Sequence, residues 1–116
     1  SVSAFLLNRS SDLAIIAWDI LKEYADYFIS MPDYIAANGM RILANPLPGD
    51  EKVISGESGA ATIGLVTEVL RKPELKALKE KLGIDSSSRI LCFSTEGDTD
   101  KENYRRIVWD GSYNAE

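Results

Sequence analysis

Two short stretches carry the side chains best placed to do chemistry. Residues 92–100 read Cys92-Phe93-Ser94-Thr95-Glu96-Gly97-Asp98-Thr99-Asp100, a hydroxyl pair followed by spaced carboxylates. Residues 55–61 read Ser55-Gly56-Glu57-Ser58-Gly59-Ala60-Ala61. Most of the second stretch has no side chain beyond Cβ or a single hydroxyl. A helix terminus built from it can pack tightly against a neighbour or a flat ligand. Glu57 in its first turn complements the helix dipole. The run lacks the lysine of a P-loop and the glycine spacing of a dinucleotide fingerprint, so phosphate binding is a weak reading. In the first stretch, Ser94 and Thr95 offer hydrogen-bonding hydroxyls where a short apolar run ends. Ligands of open α/β sheets bind at that end of a strand.

Other chemistries are excluded or disfavoured. The chain has no histidine and one cysteine, so it cannot build a Ser-His or Cys-His nucleophile or a cysteine zinc site by itself. Glu96, Asp98, Asp100 and Glu102 alternate in the manner of oxygen ligands for a cation. The glycine and the distal glutamate are misplaced for an EF-hand, however, and Glu102 serves better as a helix cap, so no metal is expected. Lysines 72, 76, 79 and 81 lie on or beside a solvated helix, with nothing to lower a pKa for imine formation. Cys92 is expected to be an inert core thiol.

These groups need elements to hold them. Apolar residues 90–93 predict a strand, buried on both faces and parallel to its neighbours, with Ser94 at its carboxyl end. Gly97 then permits a turn that a Cβ would hinder. Thr99 with Glu102 forms a capping box for a helix over about 100–109. The 55–61 stretch opens a helix running to about Arg71. Pro73 starts another, with Leu75, Leu78 and Leu82 inward, and Gly83 stops it. Residues 85–88 read as a polar turn.

Upstream, residues 1–9 are a short strand or a frayed end. A helix follows from about Ser11, with Leu13, Ile16, Ala17, Ile20, Leu21 and Tyr24 on its core face. Residues 27–30 predict a strand and 52–54 another. Between them a helix starts at Pro32, with Ser30 or Asp33 as cap, and stops before Pro46. Gly39 inside it costs up to ~1 kcal/mol against alanine, so it is either tolerated or marks the close approach of another backbone. Trp18 and Trp109 are expected to be packing residues. Helices alternating with short apolar runs predict an α/β fold with short parallel strands flanked by helices. So few strands make a partial domain, a piece of something larger.

At 116 residues the chain fits one domain or part of one, and 45% hydrophobic residues suffice for a modest core. A net charge of -5 argues against nucleic-acid or anionic-membrane partners. No apolar run approaches the ~20 residues of a membrane span. A cytoplasmic location is the expectation.

Taken in order, several blocks resemble one family. They are Gly39-Met40-Arg41, Asn45-Pro46, Ser55-Gly56-Glu57-Ser58-Gly59-Ala60, residues 94–100, and Tyr104-Arg105 with Val108-Trp109. The Glu57 and Ser94 segments are similar to the carboxyl-terminal part of pyridoxal-phosphate enzymes of the tryptophan synthase β-subunit type. The full set resembles diaminopropionate ammonia-lyase over about residues 18–111, with 1–15 unplaced. The resemblance implies part of the large domain of a fold-type II pyridoxal-phosphate enzyme, in one carboxyl-terminal segment. The implied reaction is elimination from 2,3-diaminopropionate, a small amino acid, giving pyruvate and two ammonia. It further implies that Ser94 is the partner of the cofactor's ring nitrogen, with Thr95 as the alternative. Glu57 and Gly56 would lie near the ring's edge, and the full enzyme would be a homodimer. The Schiff-base lysine and the phosphate-binding glycine loop have no counterpart here. No catalytic residue is therefore expected in this chain, which alone would be inactive. The competing reading is a non-catalytic interaction or regulatory domain that keeps the fold.

Overall fold

The computed structural model describes residues 4–6 and 15–114, with backbone alone at 4–6 and 15–17. It divides into two compact units, Ser1–Met31 and Pro32–Glu116. In the first, strands β1 (Ala4–Leu6) and β2 (Tyr27–Ile29) pair in parallel, with Ala4 opposite Tyr27 and Leu6 opposite Ile29. Helix α1 (Ile15–Tyr24) lies between them in sequence, the crossover that parallel strands require. The Trp18 and Phe28 rings meet at 6.1 Å between centroids, and the Lys22 ammonium lies 5.9 Å from the Trp18 ring. Part of the expected apolar stripe fails. Ile20 and Tyr24 are exposed, because one helix and a two-stranded sheet offer too little surface to cover them. The expected helix start near Ser11 and the side chains of Leu13, Ile16 and Ala17 lie outside the described residues.

The second unit is helical: α2 (Asp33–Ala44), α3 (Glu57–Arg71), a 3₁₀ turn (Pro73–Leu75) leading into α4 (Lys76–Leu82), and α5 (Lys101–Val108). Pro32 itself is the cap residue of α2, with no side-chain cap bond, so neither Ser30 nor Asp33 plays that part. Asn45 ends the helix before Pro46, and its Nδ2 donates to the Arg41 carbonyl at 2.8 Å. Gly83 stops α4 in the left-handed region at φ 70°, where glycine meets no Cβ penalty. Asp85 closes the next turn by accepting from Ser87 N–H at 2.8 Å and from the Ser87 hydroxyl at 2.6 Å. Those two bonds hold its carboxyl below the usual carboxylate range. At α5 the expected Thr99–Glu102 capping box is replaced by a simple side-chain cap one residue on. Asp100, not Thr99, is the cap, and its Oδ1 accepts from Asn103 N–H at 3.0 Å.

The core lies where α2, α3 and α5 meet. Ala37, Met40, Ala60 and Ile107 form its buried centre, with Leu43, Tyr104 and Val108 packed around it. Small residues let α2 and α3 touch backbone to backbone. A Cβ on Gly39 would strike the Ala60 carbonyl oxygen and lie 2.9 Å from Gly64 N. A Cβ on Gly64 would strike the Ile35 carbonyl oxygen in turn. Of the two readings of Gly39, close approach is the one found. Arg41 then ties α5 to α2. Its Nε donates to the Ile107 carbonyl at 3.0 Å, Nη1 to Asn38 Oδ1 at 2.9 Å, and Nη2 to the Ser112 carbonyl. It thus satisfies a carbonyl that the end of α5 leaves without a helical partner. Burial pulls the pKa of that guanidinium down, yet three acceptors remain around it.

Two expected strands are absent. Residues 90–93 pair with no other strand, and Leu91 and Phe93 are 78% and 69% exposed. An interior strand needs a ladder on both edges, and the described residues of this chain supply neither. Residues 52–54 form no strand either, and Val53 N–H instead bonds the Leu43 carbonyl at 3.0 Å. Consequently Cys92 is only half-buried rather than a core thiol. Trp109 is exposed past the end of α5 and packs into no core. Gly97 has open space around it and no left-handed φ, so the turn there does not require glycine. Among the described residues no helix is long and apolar enough to cross a membrane.

Candidate functional site

The two chemistry-bearing stretches meet at the amino end of α3. Gly56 is the helix cap residue and has no side chain to offer the free N–H groups of the first turn. The loop at 94–97 supplies what is lacking. Glu96 Oε1 accepts from Ser58 N–H at 3.1 Å, and the Glu96 carbonyl accepts from Gly56 N–H at 3.1 Å. A carboxylate there also faces the positive end of the helix dipole. A Cβ on Gly56 would lie 2.6 Å from Glu96 Oε1 and 2.8 Å from the Gly97 carbonyl. Glycine at 56 is therefore what lets the loop close on the helix.

Above this junction lies a hydroxyl pair. Ser55 is 1% exposed, and its Oγ is 2.8 Å from Ser94 Oγ. Gly59, one turn into α3, leaves room for both. A Cβ there would strike Ser55 Oγ and lie 2.9 Å from Ser94 Oγ. Ser94 itself is exposed at the surface, as is Thr95. Neighbours along extended backbone point to opposite sides, and Ser94 is the one turned toward α3. The Ser94 hydroxyl is thus held from behind by a buried partner, on a residue that is itself exposed.

Glu57 sits half-buried in the first turn of α3. It lines a cleft of about 160 Å³ with Gly56, Met40, Glu96, Asp98 and Tyr104. The Tyr104 hydroxyl is buried with no partner among the described residues. Burial pushes its pKa up, and the charge of Asp98 adds to the shift. Of the four residues read from sequence as cofactor contacts, Gly56 and Glu57 line this cleft. Ser94 is joined to Ser55 instead, and Thr95 borders neither.

Sequence reasoning missed two members of this arrangement. Ser55 and Glu96 both lie in blocks that carry the resemblance, but the sequence assigns neither of them a part in the site. A serine directly before a cap glycine was the available signal for the first, since such a position can be fully buried. No group of three His, Cys, Asp or Glu residues among those described is arranged to hold a metal ion. Lys72 pairs with Glu68 at 2.5 Å and lies 5.3 Å from the Tyr34 ring. The Glu68 bond raises its pKa, the opposite of what an imine-forming lysine needs.

Known proteins with this pattern are specific. No protein-family model matches the chain. Over 98 residues, 84% of this chain and 25% of the relative, it is 45% identical to the diaminopropionate ammonia-lyase of Escherichia coli K12. The crystal structure of the Escherichia coli enzyme in apo form covers 97% of this chain and 30% of its own, with a TM-score of 0.88 at 41% identity. The same enzyme in complex with an aminoacrylate-PLP azomethine reaction intermediate gives a TM-score of 0.81 at 44% identity, over 85% of this chain and 26% of that one. Spanning about a quarter of the length of the curated relatives it matches, the chain is homologous to the carboxyl-terminal part of diaminopropionate ammonia-lyase.

Proposed function

We propose that this chain supplies one wall of the site in a pyridoxal-phosphate-dependent ammonia-lyase acting on 2,3-diaminopropionate. The observation that carries the reading is Ser94, an exposed residue whose hydroxyl is fixed by the buried Ser55. The residues fit the pyridine end of the cofactor. A hydroxyl donor suits a ring nitrogen, and the glycines at 56 and 59 keep the wall beside it flat. A lysine with a lowered pKa and a phosphate-binding loop belong to the remaining three quarters of the enzyme. When bound, the cofactor withdraws electrons from the α-carbon of the amino acid and so labilises its bonds.

This chain's residues set how strongly that withdrawal operates. A carboxylate at the ring nitrogen would hold it protonated. A serine hydroxyl is far too weakly acidic for that and donates a hydrogen bond to a neutral nitrogen instead. Ser94 is assigned to that bond, with Thr95 as the alternative hydroxyl. Gly56 and Glu57 are assigned to the ring's edge, where the Glu96 bond to Ser58 N–H fixes the helix end they sit on. The amino acid loses its β-amino group by elimination and its α-amino group by hydrolysis, one water being consumed, and leaves as pyruvate with two ammonia.

The assignment extends to the assembly. Residues 1–116 are assigned to one carboxyl-terminal segment of the cofactor-binding domain, an α/β domain, with the resemblance covering about residues 18–111. The exposed apolar side chains at 90, 91 and 93 support that placement. A homo-oligomeric, cytoplasmic enzyme is the form proposed.

The experiment uses the assembled enzyme, this chain joined to the remaining three quarters of the Escherichia coli lyase. Ser94→Ala removes a hydrogen bond worth ~1 kcal/mol and should weaken cofactor retention about fivefold and slow elimination. Ser94→Asp should protonate the ring and shift the absorbance of the bound cofactor. If Ser94→Ala keeps cofactor and rate while Thr95→Ala loses both, the hydroxyl has been assigned wrongly.

A further inference from the structure

Ser55 has one proton and three oxygens within reach: Ser94 Oγ at 2.8 Å, the Gly56 carbonyl at 3.3 Å and the Glu96 carbonyl at 3.4 Å. Only the first distance falls in the normal range for a hydroxyl donor. Both carbonyls also have donors already. The Gly56 carbonyl accepts from Ala60 N–H at 3.0 Å, and the Glu96 carbonyl accepts from Gly56 N–H at 3.1 Å. Neither needs the Ser55 proton. The alternative direction, Ser94 donating to Ser55, would leave the buried Ser55 proton with two long bonds to oxygens already served. At 1% exposure no solvent relieves it, and an ill-used buried donor is costly.

We propose that Ser55 is a positioning residue that sets the polarity of Ser94: it donates its proton to Ser94 Oγ and so leaves the Ser94 proton directed outward. The consequence is chemical. A Ser94 that donated inward would present only lone pairs to the site, which suit a protonated ring nitrogen. A Ser94 that accepts from behind presents a proton, which suits a neutral one. Gly59 belongs to the device, because any side chain there would occupy the space of the two hydroxyls. The inference rests on the assignment of Ser94 to the ring nitrogen.

The test is a double-mutant cycle in the assembled enzyme, read by the dissociation constant for pyridoxal phosphate and by the ¹⁵N shift of the bound ring nitrogen. Ser55→Ala should weaken cofactor binding about fivefold, the fold-change of one lost hydrogen bond. It should move the nitrogen signal away from its hydrogen-bonded position. Ser55→Cys, close in size but a poor donor, should fold and show a smaller change of the same sign. In a Ser94→Ala background, Ser55→Ala should add nothing, because its effect passes through Ser94. A Ser55→Ala loss that persists in full without Ser94 would show a structural role and overturn the proposal. So would a Ser55→Cys enzyme with unaltered affinity and nitrogen shift. Intact binding in Ser94→Ala alone would instead refute the assignment of Ser94, a result distinguishable from both.

Discussion

Gly39→Ala is a sharp test of how the two long helices are joined, because two effects of opposite sign compete. Alanine is favoured over glycine inside a helix by up to ~1 kcal/mol, so propensity alone predicts a more stable protein. The structure predicts the reverse. The new Cβ would strike the Ala60 carbonyl oxygen, with Gly64 N at 2.9 Å and the Ala60 carbonyl carbon at 3.0 Å. All three are backbone atoms and cannot rotate aside. The helices must separate by about an ångström, which loosens contacts of Ala37, Met40 and Ala60 at the centre of the core. Overpacking of this kind costs about 3 kcal/mol at the upper end of its usual range, so the net loss after propensity is about 2 kcal/mol. For a domain this size that corresponds to a drop in Tm of roughly 8 °C. Thermal unfolding by circular dichroism measures it. Gly64→Ala should behave alike, and the double variant should cost less than the sum, since one separation accommodates both. A Gly39→Ala protein as stable as the parent would refute the close-packed interface.

Three further outcomes are expected. Asp100→Ala should cost ~1 kcal/mol in urea unfolding through loss of the α5 cap, while Thr99→Ala should stay within about 0.5 kcal/mol; the opposite order would restore the capping box. Tyr104→Phe should raise stability at neutral pH by about 1 kcal/mol, since it deletes a buried hydroxyl without a partner. The raised Tyr104 pKa means that the folded form holds its proton more tightly, so the parent should lose stability as pH climbs above about 10, and the Phe variant should lack that component of the slope.

Sequence patterning located the helices of the second unit well, because their signals are local. Pro32, Pro46, Pro73 and Gly83 bracket them, and proline and glycine act on the backbone wherever they stand. The meeting of residues 55–59 with 94–97 was legible only as a resemblance, since no periodicity links positions 39 residues apart. Ser55 and Glu96 were overlooked for that reason: one is buried by, and the other caps, a distant segment. The strand at 90–93 failed for a different physical cause. Its composition suits a buried strand, but strand structure is a property of a ladder, and its partners are not among the described residues. The α5 cap slipped by one residue because aspartate and threonine cap with similar strength, and only the helix register decides between them.

The most direct test of the account is catalytic. Purified chain is mixed with pyridoxal phosphate and 2,3-diaminopropionate, and the mixture is assayed for pyruvate and for a borohydride-trapped lysine adduct. The chain alone should give neither above background. Joined to the remaining three quarters of the Escherichia coli lyase, it should give pyruvate with two ammonia per turnover, at a rate that falls in Ser94→Ala. A stoichiometric adduct at a single lysine of the isolated chain, with turnover, would mean that the site is complete within these 116 residues and would contradict the account.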